Sequence, residues 1–292
     1  MCIRDSICTA HNTRESSQRG GPTWHRELLY RVTDRLADRT TIICDAGFRH
    51  YVRSKAVPAS RLQVIPIGID CAEFAPHPEK RAQARAGLGV PEDLFTFLTV
   101  GRMVVQKDYP NLLRAMARLA HRPWTLLIAG SGPLQPALEK FCAEHSLSER
   151  VRFVGVKQDV RAWYHAADAF VMGSAVEGMP VVLLEAAASG LPAVVTAAGG
   201  CGEVVVDGKT GFVVPTNNHQ ALSQAIEKML DMPAEGRAQF SADARRRATE
   251  EFEIGKIVSR WEALYESCSS RRRPVSGPEL ALSPAPSART IS

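Results

Sequence analysis

From about Phe95 onward, short runs of consecutive apolar residues alternate with longer segments whose apolar positions recur every three or four residues. The first pattern fits strands buried on both faces and the second fits helices with one buried side. Their alternation is the sequence form of a βαβ array around a parallel sheet. Strands are predicted at "FTFLTVG", "WTLLIAG", "VRFVG", "AFVMGS" and "AVVTAAG". Helices are predicted at "YPNLLRAMARLA", "PLQPALEKFCAEHSL", "DVRAWYHAA" and "MPVVLLEAAASG", each with a proline or an acid near its start. Parallel strands joined by right-handed crossovers give an open doubly wound sheet, whose ligands bind beyond the carboxyl ends of the strands.

The pattern changes on either side of this array. In "EVVVDGKTGFVV" two apolar runs flank Asp207-Gly208-Lys209-Thr210-Gly211, which reads as a turn between two short strands. Helical segments follow at 219–231, 235–252 and 254–268. Before the array lie "ICTAHN", a helix over 24–37, a strand "TTIICD", a short helix over 47–55 and a strand "LQVIPIGI". So few strands and helices read as the end of an α/β domain, because a core needs both faces of its sheet covered. Residues 1–75 are therefore expected to be the remnant of an N-terminal, acceptor-side domain, with "MCIRDS" a cloning or assembly remnant. "PHPEKRAQARAGLGVPED", with Pro76, Pro78 and Pro91 around a polar helix, reads as a linker into a second domain over 76–252. A helix over 253–268 is expected to cross back to the first domain, and the Ser-, Pro- and Ala-rich tail 269–292 to be disordered.

Composition narrows the class. At 292 residues, 45% apolar and 23% charged, the chain can build real cores, and a net charge of +5 with dispersed basic residues does not indicate a nucleic-acid binder. The cluster Arg271 to Arg273 reads as a solvated basic run. Cys2, Cys8, Cys44, Cys71, Cys142, Cys201 and Cys268 form no CxxC pair and no zinc spacing, as expected of reduced thiols in a cytoplasmic protein. No apolar run approaches the roughly 18 residues of a membrane span. A soluble chain is expected, compatible with peripheral contact at an anionic membrane surface.

Two loops after predicted strands carry candidate phosphate chemistry. "TVGRMVVQKDYP" ends a strand at Gly101 and then supplies Arg102 and Lys107 on the way into a helix. Two cations there can neutralise a diphosphate without a metal, or can simply be solvated. "IAGSGPLQPAL" has a Gly130-x-Gly132 pair, but Gln135 stands where the third fingerprint glycine belongs, so the dinucleotide signature is unmet and a structural turn is expected.

"EGMPVVLLE" places an acid at each end of seven uncharged residues. Gly178 gives the preceding loop freedom, and Pro180 suits a first helical turn. The amides of Gly178, Met179, Val181 and Val182 then surround a helix N-terminus facing the crevice, a natural diphosphate site. Glu185 falls roughly 6 to 8 Å along the helix and Glu177 lies before it. Two carboxylates straddling an anion site suit a nucleoside diphosphate sugar, one taking the ribose hydroxyls and one the sugar. An ordinary capped helix with solvated acids has the same spacing.

Together these segments resemble the retaining, GT-B-fold glycosyltransferases of family 4. The resemblance rests on Glu177 and Glu185 as an E-x7-E motif, with "VGRMVVQKDYPNLLRA", "IAGSGPLQPALE", "VRFVGVKQDVRAWYHAADAFVMGS", "EGMPVVLLEAAASGLPAVVT" and "GGCGEVVVDGKTGFVVP", and runs from about Cys8 to Leu264. It implies an α/β fold of GT-B type, two Rossmann-like doubly wound domains, here with the N-terminal one truncated. It further implies that Arg102 and Lys107 hold the donor diphosphate together with the segment from Gly178 through Pro180 to Val182, whose amides are those of Gly178, Met179, Val181 and Val182. Glu185 would take the ribose, Glu177 the donor sugar, and Val156 and Lys157 would border the base. "TAHN" resembles the segment where a histidine, here His11, reaches the donor.

The implied activity is metal-independent transfer, with retention, from a nucleoside diphosphate sugar to a saccharide or lipid-linked acceptor. No cofactor is implied, and no Asp-x-Asp occurs in the sequence. A nucleotide-sugar-binding fragment without transfer activity and a sugar-nucleotide 2-epimerase are the alternative readings.

Overall fold

Two parallel sheets organise the computed structural model, which describes residues 7–10 and 24–269. The first has three strands, β1 (Ile7–Ala10), β2 (Arg39–Ile42) and β3 (Leu62–Val64), side by side in that order. Helices α1 (Trp24–Thr33) and α2 (Asp45–Arg53) connect them, and α3 (Pro78–Leu88) follows.

The second sheet comprises β4 (Phe95–Val100), β5 (Trp124–Ala129), β6 (Val151–Gly155), β7 (Ala169–Met172), β8 (Ala193–Thr196) and β9 (Gly211–Val214). Its spatial order is β6-β5-β4-β7-β8-β9, every pair parallel. The intervening helices are α4 (Tyr109–Ala117), α5 (Gln135–Glu144), α6 (Arg161–Ala166), α7 (Val181–Ala188) and α8 (Cys201–Val204). They are followed by α9 (His219–Asp231), α10 (Ala234–Glu251) and α11 (Ile254–Ser269).

The continuous apolar runs are strands because both faces of this sheet are covered. Phe97, Leu126, Val171 and Val194 pack with Leu112, Met116, Leu138 and Ile226 of α4, α5 and α9. Leu98, Leu127, Phe170 and Val195 pack on the other side with Tyr164, Leu183, Leu184 and Ala248 of α6, α7 and α10. Each fully buried aliphatic or phenyl side chain contributes about 1.5–3 kcal/mol.

Three expectations are corrected. The first sheet is not a bare remnant. One side carries a core of Ala10, Ile42, Tyr51, Val57 and Leu62, and the other packs Ile7 and Ile65 against Ile257, Trp261 and Leu264 of α11. The second cover comes from a helix some 190 residues away in sequence, beyond the reach of a local pattern.

The polar helix expected in the linker segment is present as α3, but it is packed on the second unit and does not serve as a free linker. Arg85 of α3 is fully buried, giving hydrogen bonds to the carbonyls of Ala166 (2.9 Å), Pro91 (2.5 Å) and Leu94 (2.5 Å) and an ion pair with Asp168 at 3.3 Å. Its surface-like composition hides this one anchored charge.

The "EVVVDGKTGFVV" segment is not a hairpin. Its first run leaves the end of the short helix α8, with Val204 and Val205 buried; the turn at Gly208–Gly211 is present, but only Gly211–Val214 forms a strand, parallel to β8. The chain passes from the first sheet to the second near Ile69. There the Ile69 amide donates to the Phe252 carbonyl (2.8 Å), and the Ile254 amide donates to the Ile69 carbonyl (3.0 Å).

Candidate functional site

The strand order reverses direction between β4 and β7, and in an open parallel sheet that switch point opens a crevice at the carboxyl ends of the strands. The loops leaving β4 and β7 meet there. The carbonyl of Gln106 accepts the amides of Ala175 at 2.9 Å and Val176 at 3.3 Å, which ties one loop to the other. The next residues along are thereby brought face to face, and the Lys107 ammonium lies 2.6 Å from Glu177 Oε1. Glu177 is 91% removed from solvent and Lys107 half-buried. Behind Lys107, the Tyr109 hydroxyl donates to the Gly101 carbonyl at 3.1 Å, and burial pushes this phenol up to about 12.

From Glu177 the chain turns through Gly178 and Met179 into α7, whose N-cap is Pro180. The amides of Val181 and Val182 belong to the first turn, where no preceding carbonyl of the helix can accept them. The turn is held from beneath by Gly199 and Gly200. The Gly200 amide donates to the Gly178 carbonyl at 2.6 Å. Gly199 has φ +53°, and a Cβ there would lie 2.0 Å from the Glu177 carbonyl oxygen, so only glycine permits the approach.

One turn into α7, Glu185 turns toward α6. The Tyr164 hydroxyl lies 2.7 Å from Glu185 Oε2 and 3.1 Å from the Val182 carbonyl. Burial raises the Glu185 carboxyl above its ordinary range, the Tyr164 hydrogen bond opposes that rise, and Glu73 adds to it. The Tyr164 phenol is in turn raised well above its ordinary value, first by burial and then by Glu185.

The other residues singled out in the sequence are more spread. Arg102 is exposed on the loop after β4. Val156 is exposed after β6, and the Lys157 ammonium sits over the Trp163 ring at 5.2 Å. His11 lies outside the described residues. The Gly130-x-Gly132 pair packs the loop after β5 onto the loop after β4. A Cβ at Gly130 would lie 2.1 Å from the Gly101 carbonyl, and one at Gly132 2.4 Å from that of Met103. Sequence reasoning did not single out Gln106, Tyr164 or Gly199. Gly199 had a signal in its adjacent glycine; Gln106, acting through its backbone carbonyl, and Tyr164 had none. Among the described residues no group of three or more His, Cys, Asp or Glu side chains is placed to hold a metal ion, and no helix is long and apolar enough to cross a membrane.

With this geometry in place, comparison with known proteins is informative. The family model described as Glycosyl transferases group 1 matches residues 80–247, more than half of the chain. A GDP-mannose-dependent alpha-(1-6)-phosphatidylinositol monomannoside mannosyltransferase of Mycolicibacterium smegmatis is 35% identical over 198 residues, covering 63% of this chain and 52% of that protein. The putative glycosyltransferase EpsF of Bacillus subtilis is 33% identical over 197 residues, covering 65% and 50%. The chain thus spans about half the length of these curated relatives.

Among solved structures, sucrose-phosphate synthase from Thermosynechococcus elongatus superposes with a TM-score of 0.81 at 27% identity, over 92% of this chain and 69% of that one. Anabaena HepE in complex with UDP and glucose gives a TM-score of 0.81 at 22% identity, over 89% and 71%. These matches take in both sheets, which overturns the expectation of a GT-B fold with a truncated first domain: the two-domain GT-B arrangement runs through nearly the whole of this chain.

Proposed function

Because the chain belongs to the glycosyl transferases group 1, we propose that it binds a nucleoside diphosphate sugar at the β4–β7 switch point and transfers the sugar, with retention, to a saccharide or lipid-linked acceptor. The observation that carries this reading is the Lys107–Glu177 pair set beside the N-terminus of α7, with Glu185 one turn further on. Arg102, Lys107 and the amides of Gly178, Met179, Val181 and Val182, set around Pro180, take the diphosphate. As the glycosidic bond to the diphosphate breaks, negative charge grows on the leaving oxygen, and fixed cations and amides stabilise it without a metal. Glu177 orients the donor sugar through its hydroxyls. Glu185 accepts hydrogen bonds from the ribose, its carboxylate held in place by Tyr164. Val156 and Lys157 border the base, and His11 takes the role the family resemblance implies for it, reaching the donor. The acceptor hydroxyl attacks from the face the diphosphate leaves.

The names of the relatives support the substrate class. The mycobacterial relative uses GDP-mannose on a phosphatidylinositol glycolipid, and HepE was crystallised with UDP and glucose. A lipid-linked acceptor goes with a cytoplasmic protein in peripheral contact with the membrane. Calorimetric titration of the chain with UDP and with GDP tests the site. Tight binding of one of them, weakened by Arg102→Ala, is expected; equal binding by wild type and variant, or no binding of either, would overturn it. Assaying UDP-glucose and GDP-mannose for released nucleoside diphosphate, with and without saccharide acceptors, separates transfer from mere binding. An epimerised sugar nucleotide formed without acceptor would point to the epimerase.

A further inference from the structure

Glu203 belongs to α8 in the second unit, yet its carboxylate faces the first. Oε2 accepts the backbone amide of Asp45 and Oε1 that of Ala46, each at 2.9 Å, across more than 150 residues of sequence. These are first-turn amides of α2, which its own helix cannot satisfy, and a carboxylate there is also favoured by the helix dipole. Glu203 is itself braced: the Arg247 guanidinium donates to its carbonyl (2.5 Å from Nη2) and to that of Val204 (3.1 Å from Nε).

The position of this contact sets its consequence. α8 begins immediately after Gly199 and Gly200, the two residues on which Glu177 and Gly178 rest. A Cβ on Gly200 would lie 2.9 Å from the Gly178 carbonyl and 3.0 Å from Cys44 Cβ, so the β2–α2 loop, the glycine pair and the Glu177 turn are stacked in direct contact. The backbone link at Ile69, Phe252 and Ile254 is a second crossing between the units. Ile43 and Cys44 pack into the second unit's core beside this contact, so Glu203 adds two hydrogen bonds to a joint at the mouth of the crevice.

We propose that Glu203 is a positioning residue for the transfer. Its carboxylate holds the N-terminus of α2, and with it the first sheet, against the loop that carries Glu177, while taking no part in binding the nucleotide. This rests on the transferase reading above. Removing the contact lets the first sheet drift relative to a donor bound on the second, and a displacement near 1 Å costs roughly a hundredfold in rate.

The test uses the full chain as wild type, Glu203→Ala and Glu203→Gln, the last keeping the shape and one acceptor oxygen should the alanine variant fail to fold. Amide hydrogen exchange at Asp45 and Ala46 is expected to quicken at least tenfold in Glu203→Ala and less in Glu203→Gln. Affinity for whichever of UDP and GDP the wild type binds stays within twofold. The kcat for nucleoside diphosphate release from the matching sugar nucleotide drops roughly ten- to hundredfold with donor KM little changed. Normal nucleotide binding together with unchanged exchange, or with unchanged kcat, overturns the positioning role alone. Nucleotide affinity that falls in step with kcat overturns it too, by placing Glu203 in the donor site or in the fold. A wild-type chain that binds neither nucleotide overturns the transferase reading and the role that rests on it.

Discussion

Lys107 and Glu177 stand 70 residues apart in sequence and 2.6 Å apart in space, ammonium to carboxylate. The pairing follows from one backbone contact, the Gln106 carbonyl receiving the amides of Ala175 and Val176. On the proposed reading the same ammonium serves the diphosphate, so Glu177 and the donor compete for it.

That competition separates the two residues by experiment. Lys107→Ala is expected to weaken nucleoside diphosphate binding roughly tenfold or more, the worth of a hydrogen bond between charged groups. Glu177→Gln releases the ammonium, so the nucleoside diphosphate alone binds as well as to wild type or better, while the sugar nucleotide loses any added affinity over it. Calorimetry with each ligand reads both effects; parallel losses in the two variants would contradict the division of labour.

Glu185 gives a prediction in pH. Its carboxyl is raised above the ordinary 4.5, chiefly by burial, so it takes up a proton at a higher pH than an exposed glutamate does. The ionised form is the better acceptor for ribose hydroxyls, and nucleotide affinity should therefore decline as pH falls through that raised value, starting above 4.5. Stability runs the other way: the contribution of this group is full below the unfolded value and is lost as pH rises through the folded one. Glu185→Gln should flatten the binding profile, and Glu185→Ala should erase the preference for a ribonucleotide over its 2′-deoxy analogue.

Gly199→Ala tests the support beneath the Glu177 turn. A methyl group there meets the Glu177 carbonyl at 2.0 Å with φ at +53°, whereas at Gly208, with φ +71°, nothing lies within 4 Å. Gly208→Ala should cost about 1 kcal/mol of backbone strain, and Gly199→Ala about 2–4 kcal/mol together with nucleotide binding. Urea unfolding of the two variants and titration of the folded protein give the comparison.

Arg85 is the anchor of α3. Arg85→Ala leaves the buried carbonyl of Ala166 and the partly buried carbonyls of Pro91 and Leu94 without their donor and takes one cation from Asp168, so a loss of about 3–5 kcal/mol is expected. Nucleotide affinity measured well below the unfolding midpoint should be unchanged, since the residue lies away from the crevice.

Most of the second sheet was legible in the sequence because its strands are buried on both faces, so each reads as an unbroken apolar run whatever its neighbours. The segment before β9 was misread because Val204 and Val205 are apolar for the sake of the core beneath α8, not for a ladder. The packing of α3 was missed because a single fully buried arginine outweighs its mostly polar or small neighbours, and composition cannot say which charge is inside. Of the proposed site, Arg102, Lys107, Glu177 and Glu185 drew notice in the sequence because charges at strand ends and around a helix start are few and conspicuous, and the structure brings Lys107 and Glu177 together. Tyr164 was invisible: a tyrosine in an amphipathic helix looks like core, and here it is core as well as the partner of Glu185. Gln106 acts through its carbonyl, which every residue possesses.

The return of α11 to the first sheet bears on how the chain is made. The strands β1 to β3 leave the ribosome before any part of the second sheet, yet among the described residues the apolar side formed by Ile7 and Ile65 is packed by Ile257, Trp261 and Leu264, which emerge nearly two hundred residues later. Domains of a growing chain ordinarily close in order from the amino end. Among the described residues, the sheet that comes earlier in the chain is thus closed on this side by the helix that comes last, after the whole of the second sheet.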